Sequence, residues 1–137
     1  MKLPVFVVAI ALFLSANNCE ADQNLRDKNW LHPDQKTCQI HNGTWQEIDG
    51  IDVCKVNWYN AFTICKNSGA KLPKVKQLRQ TFNSCKNGCE RLGFIQRQYW
   101  SIEPHSSLSA FAWGFDLAKG ETIYSVKSKK KFIRCKR

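Results

Sequence analysis

Two cysteines in segments of different kinds constrain this fold more than any other feature of the sequence. The stretch from Val56 to Pro73 repeats apolar residues at the spacing of one helix face, namely Trp58, Ala61, Phe62 and Cys65. Asn57 stands where a helix cap is expected, and Gly69 follows the natural end of the helix. Cys135 lies in a terminal run that we interpret as a strand. A Cys65–Cys135 disulfide would therefore fasten the first helix to the last strand of one domain.

The cysteine count favours a disulfide framework. Seven cysteines occur in the chain, and six remain once Cys19 is assigned to an export leader. Six cysteines allow about 15 connectivities, so the sequence alone does not choose among them. We rank three pairs, which are Cys65–Cys135, Cys85–Cys89 around a short loop, and Cys38–Cys54. The competing interpretation is a zinc site at His32, His41 and Cys38, but its histidine spacing matches no common zinc motif.

The first residues have the pattern of an export signal. Lys2 precedes an apolar run that is too short to span a bilayer, and small or polar residues lead to Ala21. We predict a signal peptide over residues 1–21, with cleavage after Ala16 and lipidation at Cys19 as alternatives. No later run is long and apolar enough to cross a membrane. We therefore expect a secreted or periplasmic protein with no transmembrane segment in the mature chain.

The pattern of the mature chain predicts a single α+β unit. Residues 22–52 form an N-terminal extension that we expect to be irregular until Trp45, where a short hairpin turns at Asp49-Gly50. A second helix starts at Pro73 and carries one apolar face, consisting of Val75, Leu78 and Phe82. The segment 83–97 is predicted to be a bridged loop. Alternation of apolar residues over Phe111–Leu117 and again from Thr122 to Val126 predicts two strands, and the terminal run completes a small, mostly antiparallel sheet.

The same motifs resemble a known bacterial domain family. They are the Trp58-x-x-Ala61-x-x-x-Cys65 helix, the following Leu-Pro, the segment Tyr99-Trp100-Ser101, the AFAWGFDLAKGE hairpin and the closing Arg-Cys-x-Arg. The family is typified by the C-terminal domain of the Legionella collagen-like adhesin, and the resemblance covers residues 53–137. It implies a C-type-lectin-like fold, distantly similar to the formylglycine-generating enzymes, with a long bridge equivalent to Cys65–Cys135. The related adhesin domain engages sulfated glycosaminoglycans, which implies a similar class of ligand here.

Catalytic and metal-binding patterns are weak in this sequence. Glu103-Pro104-His105 is similar to the calcium-binding triplet of sugar-binding C-type lectins, but histidine replaces an amide oxygen donor, so we expect no metal. An oxidase of the formylglycine-generating type would need a reactive cysteine pair late in the chain, whereas Cys135 is better explained as a structural bridge. Glu103 and Asp116 are more simply explained as solvated loop carboxylates than as an acid–base pair. We therefore predict that the protein is not an enzyme and has no cofactor.

The tryptophans are candidates for ligand binding, because aromatic rings can stack against sugars. Five tryptophans raise the possibility of stacking against sugars. The helical and strand patterns instead place Trp58 and Trp113 in the core. The resemblance implies the same for Trp100, which follows Tyr99 at the start of the family's sheet. Trp30 and Trp45 lie outside the matched region and are freer to be exposed.

Positive charge is the main functional signal. The chain has a formal net charge of +10 and an isoelectric point of about 9.4. The predicted binding face consists of the basic residues near the end of the chain: Lys127, Lys129, Lys130, Lys131, Arg134, Lys136 and Arg137. A second basic group lies on the two helices and comprises Lys66, Lys71, Lys74, Lys76 and Arg79. Dense charge attracts polyanions, although a merely solvated surface is the simpler alternative.

Export narrows the choice of partner, because it disfavours intracellular nucleic acid. We expect an adhesin-like module that binds an anionic polysaccharide such as a sulfated glycan, or another cell-surface partner. Lipopolysaccharide, anionic membranes and extracellular DNA are further polyanions of the same kind. The alternative is an accessory protein–protein interaction subunit of a pilus or secretion assembly.

Overall fold

A computed structural model describes residues 29–85 and 88–137 of the chain. The predicted signal peptide, residues 1–21, lies outside the described residues, and so does the start of the N-terminal extension. Over the described residues the fold is α+β, as predicted, with a mostly antiparallel sheet and disulfide bonds, and it has three α-helices where two were predicted. None of the helices in these two ranges has the length and hydropathy needed to cross a bilayer.

Three strands and all three helices of the described chain come first, and the other five strands follow them. The strands are β1 (Trp30–Leu31), β2 (Thr44–Ile48), β3 (Ile51–Val56), β4 (Gln98–Pro104), β5 (Phe111–Asp116), β6 (Glu121–Val126), β7 (Lys131–Ile133) and β8 (Cys135–Lys136). The helices are α1 (Gln35–Ile40), α2 (Trp58–Asn67) and α3 (Val75–Ser84), and a 3₁₀ turn spans Cys89–Leu92. Strands β2-β3-β7-β4-β5-β6 form the main sheet in that order, and β1 pairs separately with β8. Only the β4–β7 contact is parallel among the described strand pairs.

Helix α2 forms where its apolar stripe and caps predict it. The Asn57 side chain accepts a hydrogen bond from the Asn60 amide at 2.9 Å, and this contact satisfies one of the free amides of the first turn. Gly69 adopts a left-handed backbone with φ of +73° just past the helix. The buried residues are Trp58, Ala61, Ile64 and Cys65, while the predicted Phe62 is only half-buried.

Helix α3 begins two residues later than the sequence suggests. Pro73 precedes the helix, Lys74 is the capping residue, and the first helical residue is Val75. Val75 and Leu78 are buried as expected, whereas Phe82 is half-buried and packs against Phe115 of β5. The prediction of this helix is confirmed, but its predicted start is wrong. Lys74 has an extended backbone, with φ of -76° and ψ of 153°, so helical geometry begins only at Val75.

The N-terminal extension is more regular than predicted. The expectation of an irregular segment up to Trp45 is wrong, because α1 forms there with the Asp34 carboxylate accepting from the Thr37 amide at 2.7 Å. The following hairpin turns at Asp49 and Gly50, both with positive φ, which is typical of a two-residue turn. The predicted domain boundary at residues 52/53 falls inside β3.

Three disulfides link these elements, and they are the three pairs ranked from the sequence. Cys65–Cys135 joins α2 to β8, and Cys38–Cys54 joins α1 to β3. Cys85–Cys89 closes the short loop after α3 and lies in the predicted bridged segment 83–97. Residues 86 and 87 inside this loop lie outside the described part of the chain.

Two layers of core lie on opposite faces of the main sheet. Tyr99 and Phe132 belong to the cluster beneath α3, while their neighbours Trp100 and Ile133 belong to the cluster beneath α2. This alternation follows from the period of two along a strand. Strand β7 therefore lies at the centre of the sheet, between β3 and β4, with both faces covered.

Candidate anion-binding groove

The predicted C-terminal basic face is not one exposed surface. Lys131 is only 5 % exposed and Arg134 only 2 %, so their inclusion in that face is wrong. Lys131 belongs to the central strand β7, and its ammonium lies 5.6 Å from the centre of the Trp100 ring and donates to the Gln98 side chain. Burial, together with the nearby charges of Lys129 and Lys55, lowers the pKa of Lys131 to about 8.

Arg134 has a structural role between β7 and β8. Its Nη1 donates to the Gly93 carbonyl at 2.9 Å and to Nε2 of His32. The guanidinium also lies 4.9 Å from the centre of the Phe94 ring. The side chain therefore joins the segment after β1 to the 3₁₀ turn, and it is not positioned to meet a ligand.

The remaining residues of the predicted face have different surroundings. Lys127 is half-buried, donates to the Ser109 carbonyl at 2.7 Å and lies over the Trp58 ring at 4.6 Å. Lys129 and Lys130 are exposed in the turn before β7, where Lys130 donates to the Thr44 hydroxyl at 3.2 Å. These contacts leave the end of the chain, at Lys136 and Arg137, as the part of the predicted face that borders a groove.

That groove brings together residues from the two basic groups of the sequence. It has a volume of about 480 Å³ and an open mouth. Its basic lining residues are Lys66, Lys71, Lys74, Lys136 and Arg137, and its other lining residues are Gly69, Ala70, Leu72, Gln77 and Ile102. The side chains of this lining carry five formal positive charges and include no aspartate or glutamate. Neighbouring cations without acidic partners raise the local concentration of anions.

Backbone pairing and a disulfide hold the two sides of the groove together. Lys71 and Lys136 exchange backbone hydrogen bonds of 3.0 and 2.7 Å. The adjacent Cys65–Cys135 disulfide fixes the end of α2 against β8. On the floor, the Ile102 amide donates to the Pro73 carbonyl at 2.8 Å. The groove is therefore formed by cross-linked backbone.

The electrostatics of the groove favour an anion at its α3 side. Lys74 caps α3, so the positive end of the helix dipole lies beside the lysines that line the groove. Lys136 is partly buried, with its ammonium 4.6 Å from the centre of the Trp30 ring, and this burial lowers its pKa. A surface of this kind can bind sulfate, phosphate or carboxylate groups through several screened contacts.

The two carboxylates considered for catalysis lie at opposite ends of the β4–β5 pair, because Asp116 is opposite Gln98 and Glu103 is next to Pro104, which is opposite Ala112. Asp116 is buried, and its Oδ1 accepts from the amides of Ala118 and Lys119 at 2.8 and 3.1 Å, so it stabilises the β5–β6 turn. The description of Asp116 as a solvated loop carboxylate is therefore wrong. His105 accepts two backbone amides, from Ser107 and Leu108, at its Nδ1. Within residues 29–85 and 88–137, no cluster of histidine, cysteine and carboxylate side chains has the arrangement of a metal site.

The burial of the tryptophans differs in part from the prediction. Trp58 and Trp100 are buried as expected, but Trp113 is half-buried and stacks on His105 with 4.8 Å between ring centres. Trp30 was expected to be freer, yet it is only 8 % exposed and packs edge-on against Phe94. Trp45 is half-buried on β2. Sequence reasoning missed the contact between Trp30 and Lys136, for which no local pattern gives a signal.

No family model and no curated protein sequence matches this chain. The resemblance to the adhesin domain therefore stays a prediction.

Proposed function

We propose that this protein is a secreted or periplasmic, non-enzymatic binding module of C-type-lectin-like fold that recognises anionic glycans on a cell or protein surface. The basic groove lined by Lys66, Lys71, Lys74, Lys136 and Arg137 carries this proposal. Its five cationic side chains lie along one groove without an acidic side chain, which suits repeated anionic groups on a polymer. The three disulfides are compatible with an oxidising compartment, where such a partner would be encountered.

The structure changes which lysines should matter for binding. The sequence favours the C-terminal cluster over the helical group, yet Lys131 is buried and Lys127 is occupied by Ser109 and Trp58. The helical residues, in contrast, line the groove. We therefore expect removal of charge from the helical side of the groove to be the more damaging change.

A matched pair of triple variants tests this expectation on a heparin column and by titration calorimetry with a sulfated oligosaccharide. The groove variant combines Lys66→Gln, Lys71→Gln and Lys74→Gln. The control removes equal charge at three exposed lysines outside the groove, through Lys119→Gln, Lys129→Gln and Lys130→Gln. Exposed ion pairs contribute about 0.5 kcal/mol each, so the groove variant should bind about tenfold more weakly. Neither variant should change the free energy of unfolding by more than about 0.5 kcal/mol.

Each outcome of this comparison has a distinct meaning. Preferential loss in the groove variant, with retention that falls steeply with salt, supports the proposal. Equal loss in both variants would mean that the ligand responds only to net charge. Full retention by both variants would rule out the groove as the site and leave the accessory protein–protein subunit as the better hypothesis.

A further inference from the structure

Helix α3 covers only one end of its face of the main sheet. Phe82 of α3 packs against Phe115 of β5, and Thr122 of β6 lies opposite Phe115. Side chains two residues apart along a strand share a face, so Trp113 and Tyr124 are the next opposed pair on it. Tyr124 is 53 % exposed. This end of the face is therefore open to solvent at an aromatic residue.

Three aromatic rings restrict the side chain of Tyr124. Its ring centre lies 5.2 Å from that of His105, 5.4 Å from that of Trp113 and 5.8 Å from that of Phe111, and all three contacts are edge-on. His105 and Trp113 also stack on each other. We call these four residues the aromatic cluster. Because the rings are already packed together, a ligand that binds to them orders little that was free before.

Polar groups that can bind a ligand lie within the aromatic cluster. Nδ1 of His105 accepts the amides of Ser107 and Leu108, so the proton of the neutral imidazole is on Nε2. In the described part of the chain, Nε2 has no hydrogen-bond partner, and it is not a buried atom. It can therefore donate to a ligand. The hydroxyl of the exposed Tyr124 is a second group that can donate or accept.

A cation lies at the α3 side of the aromatic cluster. Arg79 is exposed on α3, and its Nη2 donates to the Thr122 hydroxyl. Thr122 and Tyr124 are neighbours on one face of β6, about 7 Å apart. The guanidinium is therefore within reach of an anionic group on a ligand that lies against Tyr124. Its fork of N–H donors suits the paired oxygens of carboxylates and similar anions.

We propose that the aromatic cluster and Arg79 form a second saccharide site, in which a sugar ring lies against Tyr124 and its carboxylate or sulfate group meets the Arg79 guanidinium. The C–H groups on one face of a sugar ring carry partial positive charge, and the face of an aromatic ring is negative. Nε2 of His105 then donates to a sugar hydroxyl. The inference rests on the proposed function in taking an anionic glycan as the ligand, but the site shares no residue with the basic groove.

The size of this surface suits a sugar better than a protein. Its exposed large apolar side chains are Tyr124, Val126 and the nearby Leu108, whose carbonyl accepts the Phe111 amide. A stable protein complex uses about 20–30 residues on each side. Small-ligand sites, in contrast, combine a few aromatic side chains with a small number of placed polar groups. The aromatic cluster with Arg79 has this second composition.

Titration calorimetry with two probes tests the proposal. One probe is a sulfated hexasaccharide, and the other is polyvinyl sulfate, a polyanion without sugar rings. Tyr124→Ala should weaken binding of the hexasaccharide by about tenfold, because the ring contact is lost, and should leave binding of polyvinyl sulfate unchanged. Tyr124→Phe keeps the ring and should stay within about threefold of the wild type. Tyr59→Ala is the matched control, because Tyr59 is a 57 % exposed tyrosine on α2.

The cation and the ring are tested separately. Arg79→Gln should weaken binding of the hexasaccharide about threefold, whereas Arg97→Gln, which removes an exposed arginine near the other end of the β4–β5 pair, should not. Nuclear magnetic resonance of the wild-type protein locates the ligand without any substitution. The indole N–H signal of Trp113 should shift on addition of the hexasaccharide, and that of Trp45 on β2 should not.

Several results would overturn the proposal. They are equal effects of Tyr124→Ala and Tyr59→Ala, equal loss of both probes in Tyr124→Ala, a loss in Tyr124→Phe as large as in Tyr124→Ala, or an unchanged Trp113 signal when the wild type is saturated. The triple groove variant separates these results from the proposed function. If it loses the hexasaccharide and Tyr124→Ala does not, only the second site fails. If Tyr124→Ala loses the hexasaccharide and the groove variant does not, only the groove fails.

Discussion

His32 should make the stability of this protein depend on pH between about 4 and 6.5. Its Nε2 accepts from Nη1 of Arg134, so the neutral imidazole is the form that fits the site. Burial, assisted by the positive charge of Arg134, lowers the pKa of His32 from 6.5 to about 4. Protonation would place a proton and a positive charge against the guanidinium.

The sign and size of this effect follow from the two pKa values. Between pH 6.5 and about 4, the unfolded chain binds a proton at His32 that the folded chain does not bind. The free energy of unfolding is therefore highest above pH 6.5 and falls as the pH is lowered toward 4. The full difference amounts to about 3 kcal/mol, and it is an upper limit because the side chain is only partly enclosed.

Urea unfolding of wild type and His32→Gln at a series of pH values measures this contribution. Glutamine retains an oxygen that can accept from Arg134 but does not titrate, and every other ionisable group is common to both proteins. The difference between their unfolding free energies should shift by about 1–3 kcal/mol in favour of the variant between pH 7 and pH 4. Parallel pH profiles for the two proteins would refute the reasoning.

Three further changes test other contacts in the fold. Replacing Cys65 and Cys135 together by alanine opens a loop of 70 residues and should lower the free energy of unfolding by about 4 kcal/mol. The urea midpoint should fall accordingly, and an unchanged midpoint would contradict the stabilising role given to this disulfide. Because burial holds the pKa of Lys131 at about 8 rather than 10.5, its charged form lowers stability at neutral pH, and the wild type regains that stability between pH 8 and 10.5. The free energy of unfolding of Lys131→Met at pH 7 should therefore exceed that of the wild type by about 1 kcal/mol, with a higher melting temperature. This difference should shrink above pH 8, and a difference that does not change with pH would argue against the lowered pKa. Gly93 has φ of +76°, and a Cβ there would overlap the Arg134 and His32 side chains. Gly93→Ala should therefore lower the free energy of unfolding by at least about 2 kcal/mol, as measured by thermal unfolding. An unchanged stability would show that the surrounding side chains can move to accommodate the methyl group.

Local patterns predicted the elements of this fold better than they predicted its surface. The stripe of α2 and the Asp49-Gly50 turn are encoded over a few residues each, and both are present. Strand β5 is also present, but its predicted half-buried alternation is wrong, because Ala112, Gly114 and Asp116 on its other face are buried as well. The helix α1 was missed although Asp34 offers a capping signal, because the segment that follows is polar and short. The disulfides also agree with the ranked pairs. Cys85–Cys89 brackets a short loop, Cys65–Cys135 follows from the helix and strand patterns and from the resemblance, and Cys38–Cys54 is the pair that remains.

The candidate site depended on tertiary information that the sequence does not display. Lys129, Lys130 and Lys131 are consecutive, yet two are exposed and the third is buried, because Lys131 enters the central strand β7. Strand order is decided by contacts between distant segments, so a dense run of charge does not establish an exposed face. Backbone hydrogen bonds join Lys71 to Lys136 in the groove, although the two residues are far apart in the sequence.

The central position of β7 also constrains the order in which the chain can assemble. Strands β2 and β3 form one half of the main sheet, and β4, β5 and β6 form the other half. Strand β7 joins the two halves and is the last of the six strands to be synthesised. The β2–β3 hairpin and the three-stranded β4–β5–β6 unit therefore cannot form one sheet before β7 is added. Contacts between distant segments slow folding because loop closure is costly. We expect the two halves to remain separate, with partly exposed apolar faces, until residues 131–133 insert between them. The chain should therefore aggregate most readily before this insertion.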